Sequence, residues 1–430
     1  MTFFESLFKY PLRIHCLSSY WIATVWVSCF AQFAVHGQGP QQIQGFWTRH
    51  CIDDTLRGAD GVKLADFNLD GLADIVTGWE ESGQVRAYLH PGYSQVMEPW
   101  PSLSIGPAPS VEDAAWVDFD LDGQMEIISS CEGLEQNLFL HTAPPARRSN
   151  SEWTTVPIPC GHKVTRWMFA ARAELDNNQH TVEVLVGSKE PHALVGFLSC
   201  PAGSEPSQWK LVPLCDAAWI MSLLARDIDQ DGDQDILFTD RKGSQSGAYW
   251  LENPGPQNPG SPSSDAAVVW RKHLIGGLGR EVMFAVCESN PNVSGHLDLW
   301  VATKPMQIMR FNPAANVRAP WSEQEIAFDS LTLGTAKGIA VADIDQDGMT
   351  DIVVSCEEAS MGRTGVAMLK SNIHQAKNWD LQSISGPVGI KYDLIELYDI
   401  DGDFDLDVLT CEEREGGGGL GVIWYENPLR

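Results

Sequence analysis

The feature that most constrains the fold of this chain is an aspartate-rich segment that recurs along its length. The segment ADIDQDGMTDIVV begins at Ala342, and related segments begin at Ala65, Val117, Arg226 and Tyr398. Their first aspartates are Asp66, Asp118, Asp227, Asp343 and Asp399, which are separated by 52, 109, 116 and 56 residues. Two of these intervals are about twice the others, and degenerate copies beginning at Ala173 and Asn290 fall inside them. The chain therefore contains seven repeat units, and repetition of this kind decides the architecture before any single motif does.

A tryptophan pattern gives the same count independently. In each unit a Trp is followed five positions later by Ile or Leu: Trp47/Ile52, Trp100/Ile105, Trp153/Ile158, Trp209/Leu214, Trp270/Ile275, Trp321/Ile326 and Trp379/Ile384. Within a unit, an apolar segment precedes the aspartates, a β-branched segment follows them, a third short segment such as GVIWYENP comes next, and the Trp segment is last. Short apolar segments at even spacing, joined by turn residues, predict strands, and four strands per unit predict propeller blades.

The two ends of the chain predict how the ring closes. The last unit stops after its third strand, whereas the first Trp segment, GFWTRHCI, stands before the first complete unit. We therefore predict an all-β fold over residues 38–430, a seven-bladed β-propeller of four-stranded blades in which the N-terminal strand joins the last blade. Closure of this kind removes exposed sheet edges, which are the usual hazard of β proteins.

The aspartate segments have the chemistry of a calcium-binding loop. Alternating carboxylates in a tight turn that contains Gly supply the oxygen ligands that Ca²⁺ prefers. A helix-flanked EF-hand loop would need Glu at position 12, but that position holds Thr77, Ser129, Phe238, Val354 or Thr410. The fourth acid stands instead at position 9, and strand patterns lie on both sides of the loop.

With this D-x-D-x-D-G-x-x-D pattern in a β-hairpin, the sequence resembles the FG-GAP or VCBS repeat family, which includes the integrin alpha-subunit propellers. The resemblance implies about five structural Ca²⁺ ions, one for each intact loop. The implied ligands are Asp66, Asn68, Asp70 and Asp74; Asp118, Asp120, Asp122 and Glu126; Asp227, Asp229, Asp231 and Asp235; Asp343, Asp345, Asp347 and Asp351; and Asp399, Asp401, Asp403 and Asp407. Phe404 replaces the Gly of the last loop, which puts that turn in question, and we expect no tight site in the third and fifth units.

A ligand is expected at the mouth of the central channel on the face opposite the aspartate loops, because the second strand of each blade returns to that face. Charged residues about fourteen positions after each loop start should lie there: Glu80, Glu132, Lys189, Arg241, Lys304, Glu357 and Glu412. The segments that enter the innermost strands add Arg166, Arg280, Lys337, Lys391 and Asp393. Four consecutive units contribute acids and three contribute bases, which suits a polar ligand. The same residues could instead pair with one another around a closed funnel.

Charge and the N-terminal segment bear on partners and location. The formal net charge of −28 disfavours nucleic acid, which is bound through clustered Lys and Arg. Residues 1–37 combine Lys9 and Arg13 with an apolar run that ends at a small-residue segment, so we predict a signal peptide, with a retained membrane anchor as the alternative. After its removal we expect a monomer with no membrane span, located outside the cell, in the periplasm or on the cell surface.

Two functions fit these patterns. The first is an exported calcium-binding propeller that binds a carbohydrate-like ligand or an extracellular protein partner on the face opposite the loops. The second is a carbohydrate lyase or dehydratase that uses an acidic, metal-bearing funnel, since some such enzymes resemble the family in their propellers. No nucleophile elbow or H-E-x-x-H motif occurs in the sequence, so it leaves open whether the protein is an enzyme.

Overall fold

A computed structural model of the protein describes residues 45–143, 153–255, 269–289, 297–328, 332–371, 379–413 and 418–429. The predicted signal peptide lies outside this part of the chain. Among the described residues the regular structure is β, apart from two short 3-10 turns at Pro159–Gly161 and Pro206–Gln208. In the same residues, no helix has the length and apolar character needed to cross a bilayer.

The strands form seven sheets of four antiparallel strands each, and each sheet is one blade. From the innermost strand outwards, blades 1 to 3 are β2 (Ala59–Ala65), β3 (Asp74–Trp79), β4 (Gln84–Tyr88), β5 (Ser102–Pro107); β6 (Val111–Val117), β7 (Glu126–Cys131), β8 (Asn137–Thr142), β9 (Thr154–Pro157); and β10 (Arg166–Ala173), β11 (Thr181–Lys189), β12 (Leu194–Pro201), β13 (Lys210–Asp216). Blades 4 and 5 are β14 (Ile220–Arg226), β15 (Asp235–Asp240), β16 (Gly247–Glu252), β17 (Arg271–Gly276); and β18 (Val282–Ser289), β19 (Leu297–Thr303), β20 (Gln307–Asn312), β21 (Ser322–Ala327). Blades 6 and 7 are β22 (Thr335–Ala342), β23 (Asp351–Glu357), β24 (Val366–Ser371), β25 (Trp379–Ser383); and β26 (Tyr392–Tyr398), β27 (Asp407–Glu412), β28 (Gly421–Glu426), β1 (Thr48–Asp53).

The predicted closure of the ring is confirmed. β1 pairs antiparallel with β28, so that His50 lies opposite Trp424, and the innermost strand of blade 7, β26, contacts β2 of blade 1. Innermost strands of successive blades contact one another around the ring. The predicted Trp segments lie at the outermost strands, and five of their tryptophans are buried.

The core lies between neighbouring blades. The second strands of the blades are buried on both faces, as in β3, β7, β15 and β27, which explains their continuous runs of apolar and small residues. Trp79, Trp250, Trp300 and Trp424 are almost fully buried, and each removes a large aromatic surface from water. The cysteines of the described residues are free thiols, and burial raises the pKa of Cys131 and of Cys356 to about 12.

Candidate functional site

The first aspartate of each intact loop organises the turn. In blade 6 Asp343 accepts hydrogen bonds from the backbone amides of Asp347 (3.0 Å) and Gly348 (2.9 Å), and Asp345 accepts a second one from Asp347 (3.3 Å). The other four intact loops repeat the bonds from the fifth and sixth amides to the first carboxylate. The loops are therefore held in one shape by their own side chains, with the carboxylates drawn together.

Positions 4 and 6 of these loops have left-handed backbone, and the last loop meets this demand in an unusual way. In blade 6 Gln346 has φ 57° and Gly348 has φ 87°. In blade 7 the glycine stands at position 4, as Gly402, and the bulky Phe404 takes φ 72° at position 6. The amide of Phe404 still donates to Asp399 at 3.2 Å. The turn that the sequence put in question therefore forms, with the strain placed on Phe404, because left-handed φ favours glycine.

The acid at position 9 anchors the loop to the rest of the blade. Asp351 is fully buried and accepts hydrogen bonds from the amides of Ile344 (3.1 Å) at position 2 and Ser371 (2.9 Å) at the end of β24. The corresponding acids of the other intact loops, Asp74, Glu126, Asp235 and Asp407, are at most 3% exposed. In the degenerate third and fifth units the acids Glu183 and Asp298 are also buried; Glu183 accepts a hydrogen bond from the amide of Leu175 (3.4 Å), and Asp298 pairs with Arg310.

Several of these acidic clusters could hold a metal ion. In blades 2, 4 and 6 the carboxylates at positions 1, 3 and 5 each bring one oxygen to within 4.8 Å of the others. Asp229 Oδ1 and both carboxylate oxygens of Asp405 are buried without a hydrogen-bond partner among the described residues, which suits a bound cation. Exposed basic side chains contact two of the loops, Arg318 at Asp229 and Lys370 at Asp345, and an ion would compete with them. Hard oxygen ligands in this number fit Ca²⁺, which would couple the carboxylates of each loop.

The central channel is divided into two cavities. A cavity of about 250 Å³ lies where the innermost strands begin, on the face opposite the aspartate loops, and we call it the funnel. A cavity of about 590 Å³ lies at the other end of the same strands and is called the loop-side cavity. Phe169, Met221 and Phe284 line both cavities, and the rings of Phe169 and Phe284 meet edge to face with centroids 5.4 Å apart. This apolar layer forms the floor of the funnel.

Eight of the twelve residues predicted for the ligand face line the funnel: Glu80, Glu132, Lys189, Arg241, Lys337, Glu357, Lys391 and Asp393. Lys304 pairs with Glu357 at its rim. Asp60, Glu112 and Trp219 also line it, as does Glu413, which was not among the predicted residues.

Three predicted residues lie elsewhere. Glu412 is 1% exposed and accepts hydrogen bonds from the amides of Ile390 (2.9 Å) and Leu420 (2.8 Å), so it braces the backbone beneath the funnel. Arg280 extends outwards to Gln307 (2.8 Å) and Glu325 (3.2 Å), and Arg166 is exposed. None of the three is a funnel-lining residue.

Ion pairs join the bases of the funnel to its acids. Lys189 contacts Glu132 and lies 3.2 Å from Glu112, and Lys304 contacts Glu357. Arg241 pairs at 2.7 Å with Glu281 outside the funnel lining. We expected the ligand face to be divided into an acidic and a basic part. Because acids and bases pair across blades, much of that separation of charge is neutralised, as in the alternative of a closed funnel.

Trp219 contacts two cations on the side of the funnel formed by blades 3 and 4, which we call the basic side. Lys189 Nζ and the Arg241 guanidinium lie 4.7 and 4.6 Å from the centroid of its ring, within the range of cation–π attraction. Burial by itself would lower the pKa of Lys189, but the charges of Glu112 and Glu132 outweigh it and raise the pKa. Lys189 therefore remains charged, and the ring of Trp219 helps to fix both side chains in position.

Blades 6, 7, 1 and 2 form the other side of the funnel, which we call the acidic side. Its negative charge is less completely neutralised by bases. Burial raises the pKa of Glu112 to about 8, against the opposing effect of Lys189. Burial and the charges of Asp393 and Glu413 raise the pKa of Asp60 well above its usual range. Seven acids and four bases line the funnel, so it keeps an excess of carboxylates.

A sequence comparison identifies the repeat. The model of the FG-GAP-like repeat family matches residues 44–129, which comprise β1, blade 1 and the first strands of blade 2. The chain contains an FG-GAP-like repeat. Comparison with curated proteins gave no match.

Solved structures share the fold of this propeller. BBS1N, in its complex with ARL6DN, matches with a TM-score of 0.52 at 9% identity over 89% of this chain and 98% of that chain. Sqt1 of Saccharomyces cerevisiae matches with a TM-score of 0.50 at 9% identity over 89% of this chain and 90% of that chain. At these identities the likeness concerns the fold alone.

The loop-side cavity was not predicted from the sequence. Most of its lining is apolar. The ring of Trp116 and the charged residues Lys63, Arg172, Arg226 and Glu396 also line it. Burial raises the pKa of Glu396 to about 7. These residues stand in the innermost strands among apolar neighbours, and the only sequence signal was a charged residue inside an otherwise apolar strand.

Proposed function

We propose that this protein is an exported binding propeller that is stabilised by calcium and receives a polar, carbohydrate-like ligand in the funnel. The observation that supports the ligand site is a blind-ended cavity of about 250 Å³ whose wall carries both carboxylates and cations. Because sugar hydroxyls donate and accept hydrogen bonds, such a wall suits a sugar. Drug-sized ligands usually occupy about 300–1,000 Å³, so we expect a single sugar unit, free or at the end of a chain.

Because the cations of the funnel are already paired with acids, the ligand is recognised through positioned hydrogen-bond donors and not through net charge alone. Lys189 and Arg241 are held by Trp219 and by acids, so a ligand meets donors that are already positioned. Side chains fixed before binding lose less conformational entropy when the ligand arrives.

Calcium in this proposal is structural. An ion in each intact loop would offset the repulsion of carboxylates that converge to within 4.8 Å, and its binding energy would add to folding stability. Extracellular calcium modules work at about 10⁻⁴–10⁻³ M, so export would place the loops where calcium can fill them. The predicted signal peptide of residues 1–37 supports a secreted, periplasmic or cell-surface location.

The experiment is a binding screen of the purified protein against neutral and acidic glycans, followed by two variants. Arg241→Gln removes a fixed donor from the funnel, and Lys210→Gln removes a positive charge from an exposed position on β13. We expect Arg241→Gln to weaken glycan binding at least tenfold and Lys210→Gln to leave it unchanged. Equal affinities for the two variants would place the ligand elsewhere, and capture of a protein without any glycan would favour the partner-binding alternative.

The enzyme alternative is favoured by one observation: among the described residues, Asp60 and Glu80 on the acidic side of the funnel form no ion pair. A lyase or dehydratase would convert a uronate or oxidised sugar into an unsaturated product, which ultraviolet absorbance detects. Binding without turnover supports the binding role, whereas turnover that Arg241→Gln abolishes would replace it.

A further inference from the structure

The acidic side of the funnel has a local excess of negative charge where blades 7 and 1 meet. Four carboxylates and two ammonium groups lie there: Asp60, Glu80, Asp393 and Glu413, with Lys337 and Lys391. With all of them ionised, the group carries two uncompensated negative charges. Charges buried in this way are normally paired or bound to a metal.

Both lysines pair with other members of the group. Lys337 lies 3.1 Å from Asp393 Oδ2 and 3.0 Å from Glu413 Oε1. Lys391 lies 2.9 Å from Glu413 Oε2. Among the described residues, neither ammonium group forms an ion pair with Asp60 or Glu80.

Asp60 is the carboxylate that is left over. Its side chain lines the funnel, is 7% exposed, and has no donor or basic partner among the described residues. The charged groups around it include the acids Asp393, Glu413 and Glu112, and the charges of Lys337 and Lys391 also act on it. Asp393 Oδ1, in the same place, is buried and also lacks a hydrogen-bond donor among the described residues. A buried carboxylate that has no ion pair of its own and lies beside other carboxylates favours a bound cation.

We propose that a hard divalent cation of the Ca²⁺ or Mg²⁺ type binds in the funnel, held by the carboxylates of Asp60, Glu80 and Glu413. These three groups each bring one oxygen to within 4.8 Å of the others. Oxygens on opposite sides of Ca²⁺ are about 4.6–5.2 Å apart, so three oxygens at this spacing can share one ion. The ion supplies the two positive charges that the cluster lacks.

A shared proton is the competing explanation. Burial and its acidic neighbours raise the pKa of Asp60, so a proton held between Asp60 and Asp393 would also relieve their repulsion. A proton satisfies only that pair, however, and leaves Glu80 without an ion pair among the described residues. The two explanations differ in what they predict for Glu80, which is half-buried and can be altered without disturbing the core.

The site is distinct from the aspartate loops and goes beyond the proposed ligand binding, because the ion can be counted when no sugar is present. A failure to find a glycan would therefore leave the ion count intact, and a failure to find the ion would leave a glycan result intact.

The test uses the full chain in four forms: wild type, Glu80→Gln, Asp60→Asn, and Glu357→Gln as the matched control. Glu357 lines the same funnel but pairs with Lys304, so its substitution removes a carboxylate without touching the predicted ligands. Each protein is stripped with chelator and dialysed in parallel against Ca²⁺ or Mg²⁺, and bound metal is measured by mass spectrometry. A crystal soaked in Mn²⁺ then locates ions by anomalous scattering.

We expect Glu80→Gln to bind one ion fewer than wild type with one of the two metals, Glu357→Gln to match wild type, and an anomalous peak between Asp60 and Glu80. Asp60→Asn should likewise lose one ion. Equal metal counts for all variants, together with a more stable Asp60→Asn protein, would replace the ion with the shared proton. An ion count that falls equally in Glu80→Gln and Glu357→Gln would also overturn the assignment.

Discussion

The side-chain amide of Asn427 donates a hydrogen bond across the blade boundary to the carbonyl oxygen of Ile344, at 3.1 Å. Ile344 stands at position 2 of the aspartate loop in blade 6, and Asn427 follows β28 of blade 7. Asn253 makes the same bond to Leu175 (2.8 Å), and His90 lies 2.9 Å from Ile400 in the corresponding place. The residue after the third strand therefore ties each of these blades to the loop of the preceding one.

This bond predicts a large effect for Asn427→Ala. The substitution leaves the buried carbonyls of Ile344 and Leu406 without their donor, which should cost about 1–3 kcal/mol in the free energy of unfolding. Asn178→Ala is the control, because that exposed side chain accepts one local amide bond. Urea unfolding of both variants measures the difference, and similar losses would contradict the cross-blade role.

Calcium in the loops predicts a condition-dependent effect of Asp347→Ala. The variant should melt at a lower temperature than wild type in calcium and at nearly the same temperature after chelation, because the lost group acts through the ion. Asp54→Ala, which alters an exposed aspartate outside the loops, should change neither value. An equal loss with and without calcium would exclude an ion at this loop.

The strained backbone of blade 7 predicts a stabilising substitution. Phe404 is 78% exposed and has φ 72°, so its side chain contributes little packing while its backbone is strained. Phe404→Gly should therefore raise the free energy of unfolding by about 1 kcal/mol. Gly348→Phe, at the same position of the blade 6 loop, should lower it by a similar amount, and thermal melting compares the pair. A loss of stability in Phe404→Gly would show that the phenyl ring has a contact worth more than the strain.

Glu396 predicts a dependence of stability on pH. Its pKa of about 7 in the folded protein lies above the ordinary 4.5, so the folded state holds the proton more tightly. The contribution of Glu396 to the free energy of unfolding is therefore fully present below pH about 4.5. It is lost as the pH rises through about 7, because the buried carboxyl must then ionise. Glutamine does not titrate, so the free energy of unfolding of Glu396→Gln should rise by about 1–3 kcal/mol relative to that of wild type between pH 4.5 and pH 8. Urea unfolding at the two pH values measures this gain, and the exposed Glu205→Gln should show none.

The aspartate loops and the ring were predictable because each depends on local spacing. Carboxylates at alternate positions around a tight turn define a ligand set within nine residues, and five such loops with seven Trp strands define the blade count. The exchange of Gly402 and Phe404 also fits this pattern, since the turn needs left-handed backbone at both positions and glycine occupies one of them.

The funnel was predicted less completely, for a geometric reason. The pairing of the first two strands is interrupted in every blade near the funnel, as between Tyr392 and Ile395 in blade 7. Such irregularities re-aim the side chains that follow them, so counting positions along the strand can miss by one residue. In blade 7 the prediction took Glu412, thirteen positions after Asp399, whereas Glu413, at fourteen positions, lines the cavity.

The sequence by itself determined the number of blades, the closure of the ring and the positions of the loop carboxylates, because those features repeat within short stretches of chain. Only the tertiary structure decided which charges meet. Lys189 reaches Glu112 across 77 residues and Lys337 reaches Asp393 across 56, and these contacts depend on how neighbouring blades are turned. The floor of Phe169 and Phe284 and the isolation of Asp60 follow from the same packing, since they depend on distances between blades that no local pattern encodes.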